Sequence, residues 1–383
     1  MKKLGLLTLI LSTVYLQGHE ECCVPLCDVW HAEVDFLWWR ADVEGVTFAD
    51  VGSLIIPEPA QLAANTPIVA NVKNRTPKGE YAPGVRVGIG YQFSEFNLWD
   101  LSLLWTHFTD KAKKMSFAAP ISTNLNPGVS QLITPLGTTL LGPTAANASI
   151  HWKLYTNLLD LELGRDCSLG CNVSIKPHFG LRGAWFNFNS RQDFTGKWNF
   201  YGAVPIPTTL MVVEESTFFK ADFTYRGIGI KAGADAEWRF SKQWSLLGTL
   251  AGSLLYGKYN IQQTANGFAT DELLDTLPLI LPLEIRLKKD LWLMRGDIEA
   301  FFGLKWETIF RGGRSSFSLA AGYEMSQWFQ LNQIIDINDN YDIHTSFDEN
   351  NAPFLASNHF FFEYPVNGNV SFQGLTVKGI FKY

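Results

Sequence analysis

Beyond its first eighteen residues the sequence has no apolar run long enough to cross a bilayer as a helix, which excludes a bundle of membrane helices. Charge is scarce: Asp, Glu, Lys and Arg make up 18 %, against roughly 25 % in an average soluble domain. There is no basic excess either, with 31 Lys and Arg set against 37 Asp and Glu for a net charge of −6. A nucleic-acid partner calls for clustered surplus Lys and Arg, so none is expected. Catalytic signatures are missing too: no G-x-S-x-G, no H-E-x-x-H and no P-loop. Gly227, Gly229 and Gly233 have the wrong spacing for a dinucleotide fingerprint. What the chain has in quantity is aromatic: 28 Phe, 13 Trp and 12 Tyr, alongside 32 Gly. Its mean hydropathy is nevertheless only +0.01. An aromatic-rich chain of neutral hydropathy needs a special architecture.

Both ends are informative. Lys2 and Lys3 followed by the apolar stretch Leu4 to Leu16 have the layout of a signal peptide, residues 1–18, with Gly18 before the cut. A cysteine-containing periplasmic segment, 19–30, is expected next, and a barrel over 31–383. At the other end, Leu375, Val377, Gly379, Phe381 and Tyr383 alternate with Thr376, Lys378, Ile380 and Lys382. This period of two, ending on an aromatic residue, marks a closing strand. Leu375, Val377, Phe381 and Tyr383 are the residues that the barrel-assembly machinery is expected to read.

A barrel requires many more such segments. They are found at 31–38, 85–93, 99–106, 150–163, 173–185, 230–240, 244–256, 294–305 and 316–325. With the closing strand these give an even ten, antiparallel and up-and-down, in an all-β transmembrane barrel. Short connections near 94–98, 164–172, 241–243 and 309–314 alternate with long ones near 43–83, 109–148, 189–217, 259–290 and 332–368. Short periplasmic turns and long extracellular loops are the pattern of outer-membrane barrels, so the expected site is the cell outer membrane, with its lipid as partner. Ten strands leave the long loops generous, and 130–141, 200–213 and 359–366 are candidates for further strands, up to sixteen. In the fourth segment Ile150, Trp152 and Leu154 share one face, whereas Leu159, Leu161 and Leu163 share the other; this slip near Asn157 predicts a β-bulge. Pro177 predicts an irregularity in the fifth. Trp38, Trp99, Trp105, Trp152, Trp185, Trp238 and Trp244 fit interfacial girdles.

On the polar faces stand Arg86, Lys153, Lys176, His178, Arg182, Lys231, Asp235, Glu237, Arg295, Asp297, Glu299 and Lys378. A charge on the lipid face costs roughly 2–4 kcal/mol near the midplane, so these are the candidate pore-lining residues. A ladder of both signs either holds a field across a water-filled pore or pairs internally and fills a narrow barrel. His107, His178 and Asp100 are the set nearest to a catalytic cluster at a rim, but no spacing supports one. No enzyme, cofactor or metal is expected.

The stretches HAEVDFLWWRA (31–41), GVRVGIGYQF and WDLSLLWTHF (84–93 and 99–108), LLDLELGRD (158–166), IKPHFGLRGAWF (175–186) and SFSLAAGYEMSQWFQLNQ (316–333) are those of a known family. They resemble the major outer-membrane proteins of Legionella and of environmental chlamydia-like bacteria. The resemblance covers most strands and few long loops. It implies an abundant porin, disulfide-linked in the envelope and exposed to the host; relatives in the true chlamydiae are described with near sixteen strands.

Cys22, Cys23 and Cys27 follow the predicted cleavage site, and Cys167 and Cys171 bracket a short turn. In an oxidising periplasm Cys167–Cys171 is a plausible local disulfide. Three N-terminal cysteines leave an odd thiol for another chain, an envelope protein or a second copy. Free or internally paired thiols remain open, and a zinc site lacks a paired C-x₂-C set. The functional expectation is passive diffusion of ions and small solutes, with a non-conducting structural or adhesive barrel as the alternative.

Overall fold

The structure, a computed structural model, describes residues 29–46, 49–55, 69–93, 99–118, 130–133, 147–201, 210–271, 279–310, 315–347 and 353–383. The signal peptide, the segment up to residue 28 and with it Cys22, Cys23 and Cys27 lie outside the described residues.

Ten antiparallel strands close into a barrel. They are β1 (Val29–Val43), β2 (Ala82–Phe93), β3 (Trp99–Ala118), β4 (Asn147–Arg165) and β5 (Val173–Tyr201). Next come β6 (Leu210–Arg239), β7 (Trp244–Asp271), β8 (Leu279–Phe310), β9 (Ser315–Phe347) and β10 (Pro353–Lys382). Each pairs with its successor, and β10 closes on β1 from His31↔Lys382 to Val43↔Val370. Trp30 and Tyr383 exchange backbone hydrogen bonds of 2.9 and 2.8 Å at the seam. Among the described residues the three candidate stretches add no wall strand, and 134–141 and 202–209 lie outside the described residues. Ser130–Ile133 joins Ala49–Ile55 and Val69–Arg75 in a separate three-stranded sheet. The other two belong to the ends of β5 and β6 and to β10.

Nearest the short turns, the strands alternate as lipid demands. Val34, Phe36, Ile89, Leu101, Leu161, Phe179, Ile230, Leu250, Ile298, Phe302, Leu319 and Leu375 are exposed on the outer face. Aromatic side chains flank this band. Trp30, Trp238, Trp244, Phe381 and Tyr383 lie at the short-turn end, and Trp38, Trp105, Trp185, Tyr256, Trp292 and Tyr323 at the other. Trp30 to Trp38 is eight residues, or about 26 Å along a strand at ~3.3 Å each and about 20 Å along the membrane normal at a tilt near 40°, close to an apolar band of ~25 Å.

Past the second girdle the pattern inverts. On β5, Phe179 and Leu181 point outward, but Ala184, Phe186, Phe188 and Phe194 are buried inside, with Asn187 and Arg191 outside. The same change occurs from Trp38 to Trp39 and Ala41, from Ile228 to Tyr225 and Phe223, and from Leu375 to Phe372. Here the wall has left the bilayer and stands in water, so its apolar side faces the enclosed core. This corrects the bulge expected near Asn157: β4 pairs with β5 without a shift from Asn147↔Thr195 to Gly164↔His178. Trp152, expected in a girdle, is 1 % exposed in the interior. Much of what reads as long loops is therefore strand, and β9 reaches 33 residues. Register shifts fall elsewhere, between Ala112 and Met115 and between Trp328 and Asn332. In the second, Gln330 takes a φ of 51° and its N–H donates to Asn369 Oδ1 at 2.9 Å. Pro177 causes no shift, because β5 has there run past the last residue it shares with β4.

β2 begins late, so above Ala82 no wall strand separates β1 from β3. Gly79 fills the seam, donating to Ala41 O at 3.2 Å and bridging to Ala112. Asp110 supplies the missing ladder partner: its carboxylate accepts the N–H of Ala41 and that of Lys111, each at 2.6 Å. Burial nevertheless pushes this carboxyl up to about 6, against the opposing pull of those backbone donors.

Candidate functional site in the barrel lumen

The lumen has two layers. Toward the short turns it is polar, because the outer face there must be apolar and the residues between must point in. Arg182 of β5 is the centre. Its Nε and Nη2 hold both oxygens of Asp160 at 2.7 and 2.6 Å, and Nη1 reaches Asp297 at 2.9 Å and Glu299 at 2.6 Å. Lys231 adds contacts to Asp160 at 2.9 Å, Glu162 at 2.7 Å and Glu299 at 3.3 Å. A second cluster joins Arg86 to Glu324 at 2.7 Å and to Asp35 at 3.2 Å. Thr376 donates to Glu324 at 2.8 Å and accepts from Trp39 Nε1 at 2.9 Å. Nearer the mouth, Lys176 pairs with Asp100 at 3.1 Å and Lys305 with Glu237 at 3.0 Å. Asp235 takes a hydrogen bond from Thr249 at 2.7 Å, and the Lys378 ammonium lies 4.4 Å from the Phe301 ring centre. A charge buried in so narrow a space persists only when paired and hydrogen-bonded. These groups leave two adjoining cavities of about 220 and 140 Å³, the first lined by Lys382 and Asp166 at the short-turn mouth, the second reaching in to Arg182 and Glu324.

Above them the lumen is closed by aromatic packing. Phe186 of β5 meets Trp328 of β9 at a centroid distance of 4.8 Å, and Phe372 lies 6.3 Å from Phe186 and 5.8 Å from Phe108. Phe188 stacks on Phe223 at 5.1 Å and Tyr225 lies 4.6 Å from Tyr259. The Tyr225 ring covers the facing pair Gly227 and Gly257, where any Cβ would strike it. Phe301 covers Gly303 and Gly322 in the same way. Arg295 belongs to this layer, with Nε on Tyr259 Oη at 2.8 Å, and the Arg182 guanidinium lies 5.9 Å from the Trp328 ring where the layers meet.

Eleven of the twelve expected lining residues point into the lumen. Lys153 is the exception and is corrected: it is exposed on the outer wall over the Tyr155 ring, since its neighbours Trp152 and Leu154 fill the interior. His107, His178 and Asp100 do not converge. His107 bonds Asn157 at 2.9 Å and stacks on outward-facing Trp105, while His178 sits inside, 3.2 Å from Glu162. Asp35, Asp100, Asp160, Glu162, Lys305 and Glu324 complete the ion-pair clusters and were absent from the expected set. Their signal was position alone, the polar face of each alternation. Cys167 Sγ–H donates to Arg165 O at 3.8 Å, and Cys171 is exposed at the turn. Leu375, Val377, Phe381 and Tyr383 form the outer face of β10. Among the described residues no group of His, Cys, Asp and Glu is arranged to hold a metal ion.

Among solved structures, the chain is similar to the outer-membrane protease OmpT of Escherichia coli, at 9 % identity over 93 % of this chain and 96 % of that one, with a TM-score of 0.31. It is similar also to a FadL homologue of Pseudomonas aeruginosa, at 9 % identity over 93 % and 90 % of the two chains and a TM-score of 0.19. The toluene transporter TodX of Pseudomonas putida gives 7 %, 94 % and 90 %, and 0.25. These likenesses are too distant to bear on function. No curated protein matches. A family match is extensive, taking in every strand of the wall and both layers of its lumen: over residues 23–383 the chain belongs to the family of the Legionella pneumophila major outer membrane protein precursor.

Proposed function

We propose that this outer-membrane barrel is a porin of low conductance, passing ions and small hydrophilic solutes through the lumen. The observation that carries the reading is the pair of adjoining cavities, lined by Arg86, Lys176, Lys231, Asp235, Glu299 and Lys378 and running inward from the short-turn mouth. A wall needed only for stability gains nothing from so many buried charges, since well-packed apolar residues serve as well or better. The path ends at the aromatic layer of Phe186, Trp328 and Phe372, which must part for a solute to pass. That same layer favours the second reading, a filled structural barrel that presents its outer end to the surroundings.

Planar-bilayer recording of the purified protein separates the two. The porin reading expects small discrete steps from the native protein and larger ones after Phe186→Ala. A folded native barrel that stays silent over long recordings overturns it and leaves the structural reading. The envelope role rests on the five cysteines of the sequence. Non-reducing gels of whole envelopes are expected to show species larger than the monomer that collapse on reduction. Neither reading gives the chain catalysis or a cofactor.

A further inference from the structure

The part of the wall that stands above the second girdle carries its charges unevenly. On β6, β7 and β8 carboxylates are interspersed among the outward cations: Lys220 pairs with Asp222 at 2.7 Å, Lys258 with Asp290 at 2.8 Å and Arg286 with Glu284 at 2.6 Å, and Arg226 and Lys288 are exposed beside them. On β3 and β4 the outward cations have no carboxylate partner among the described residues. Lys111, Lys113, Lys114, His151 and Lys153 are all exposed there, and no acidic side chain projects outward from either strand above Trp105. Lys111 and Lys153 stand directly opposite each other across the ladder, an arrangement that costs stability between like charges. Asp193 on the bordering strand does not relieve it, being held by Arg191 at 2.9 Å.

Height matters as much as charge. Lys111 lies six residues along β3 from Trp105 in the girdle, and Lys153 stands opposite it on the same rung. Six residues are roughly 20 Å of strand, or about 15 Å along the membrane normal for a strand tilted near 40°. In barrels of this class the end away from the short turns faces out of the cell. The lysines therefore stand above the acyl chains of the outer leaflet, with its headgroups within reach of their long side chains.

From this geometry we propose that the β3–β4 face is a docking surface for phosphorylated glycolipid, the lipopolysaccharide of the outer leaflet. Its headgroup phosphates would neutralise Lys111 and Lys153 from both sides, while its acyl chains lie against Leu103, Trp105, Leu159 and Leu161 below. On β6–β8 the interspersed carboxylates Asp222, Glu284 and Asp290 offset the cations and would repel phosphate. The inference needs only the outer-membrane setting and is independent of whether the lumen conducts.

The test uses the full-length protein refolded in detergent, with binding of purified lipopolysaccharide followed by native mass spectrometry or fluorescence. Paired variants are compared: Lys111→Gln with Lys153→Gln, and Lys220→Gln with Lys258→Gln as control. An anionic surface attracts each nearby lysine by about fivefold in affinity, so the first pair should weaken binding about 25-fold and the control by less than about threefold. Arginine at positions 111 and 153 should restore it. Without lipid, the glutamine pair should be at least as resistant to urea as the native protein, showing that it folds and that the opposed charges are relieved. Equal loss in both pairs, or undiminished binding of enzymatically dephosphorylated lipopolysaccharide, would overturn the proposal.

Discussion

Phe186 on β5 and Trp328 on β9 meet inside the barrel with ring centres 4.8 Å apart, although three strands lie between them by the shorter way round the wall. A contact across the lumen ties opposite sides of the cylinder together. Truncation to Ala removes a fully buried side chain that no neighbouring strand can replace. Trp328→Ala should therefore destabilise the barrel by about 3–5 kcal/mol, measured by urea unfolding in detergent. A loss below 1 kcal/mol would mean that the layer is loosely packed.

Arg182 should matter for a different reason. Replacing it with Met removes the shared partner of Asp160, Asp297 and Glu299 and leaves the three carboxylates, among the described residues, with Lys231, Ser253 and each other. Breaking a buried pair in this way costs about 3–5 kcal/mol. The loss should be partly recovered when Glu299→Gln is added, which a double-mutant cycle reads directly.

Asp110 predicts a pH dependence with a definite sign. Its folded-state value, pushed up to about 6, lies above the 3.8 of a free carboxyl. The folded state therefore binds more protons across that window, and stability falls as pH rises from about 4 through 6. Asp110→Asn removes this dependence. Relative to it, the native protein should gain on the order of 2 kcal/mol between pH 7 and pH 4, and unfolding midpoints at both pH values check this. A constant difference would show that the carboxyl titrates normally.

Gly227→Val places a branched side chain where the Tyr225 ring now lies. Overpacking of this kind costs about 1–3 kcal/mol, and near-ultraviolet circular dichroism should report the displaced Tyr225–Tyr259 contact. Gly248, with nothing near its Cβ position, should tolerate Ala freely.

The ten strands were legible because lipid imposes strict alternation, and Phe179, Leu181 or Leu101, Leu103 show it without exception. The ion-pair clusters were half legible: Arg182, Lys231 and Glu299 announced themselves by charge, but Asp160 and Asp35 did so only by lying between apolar neighbours. Above the bilayer the period stays at two while the apolar side changes hands. To a reading by period, this change of solvent looks the same as an inserted residue. That is why Trp152 and Lys153 were assigned to each other's faces, and why strand beyond residue 189 read as loop.

The hydrogen bonds that join Trp30 to Tyr383 bear on how such a chain is made. The first wall strand, which β2 flanks on one side, finds its second partner only when β10 is in place, so the cylinder cannot close before its last strand arrives. Until then the outward faces of all ten strands are bare to water. A chain of this design has to be escorted, extended and unpaired, from ribosome to membrane, and it commits to its shape in one late event at a single seam.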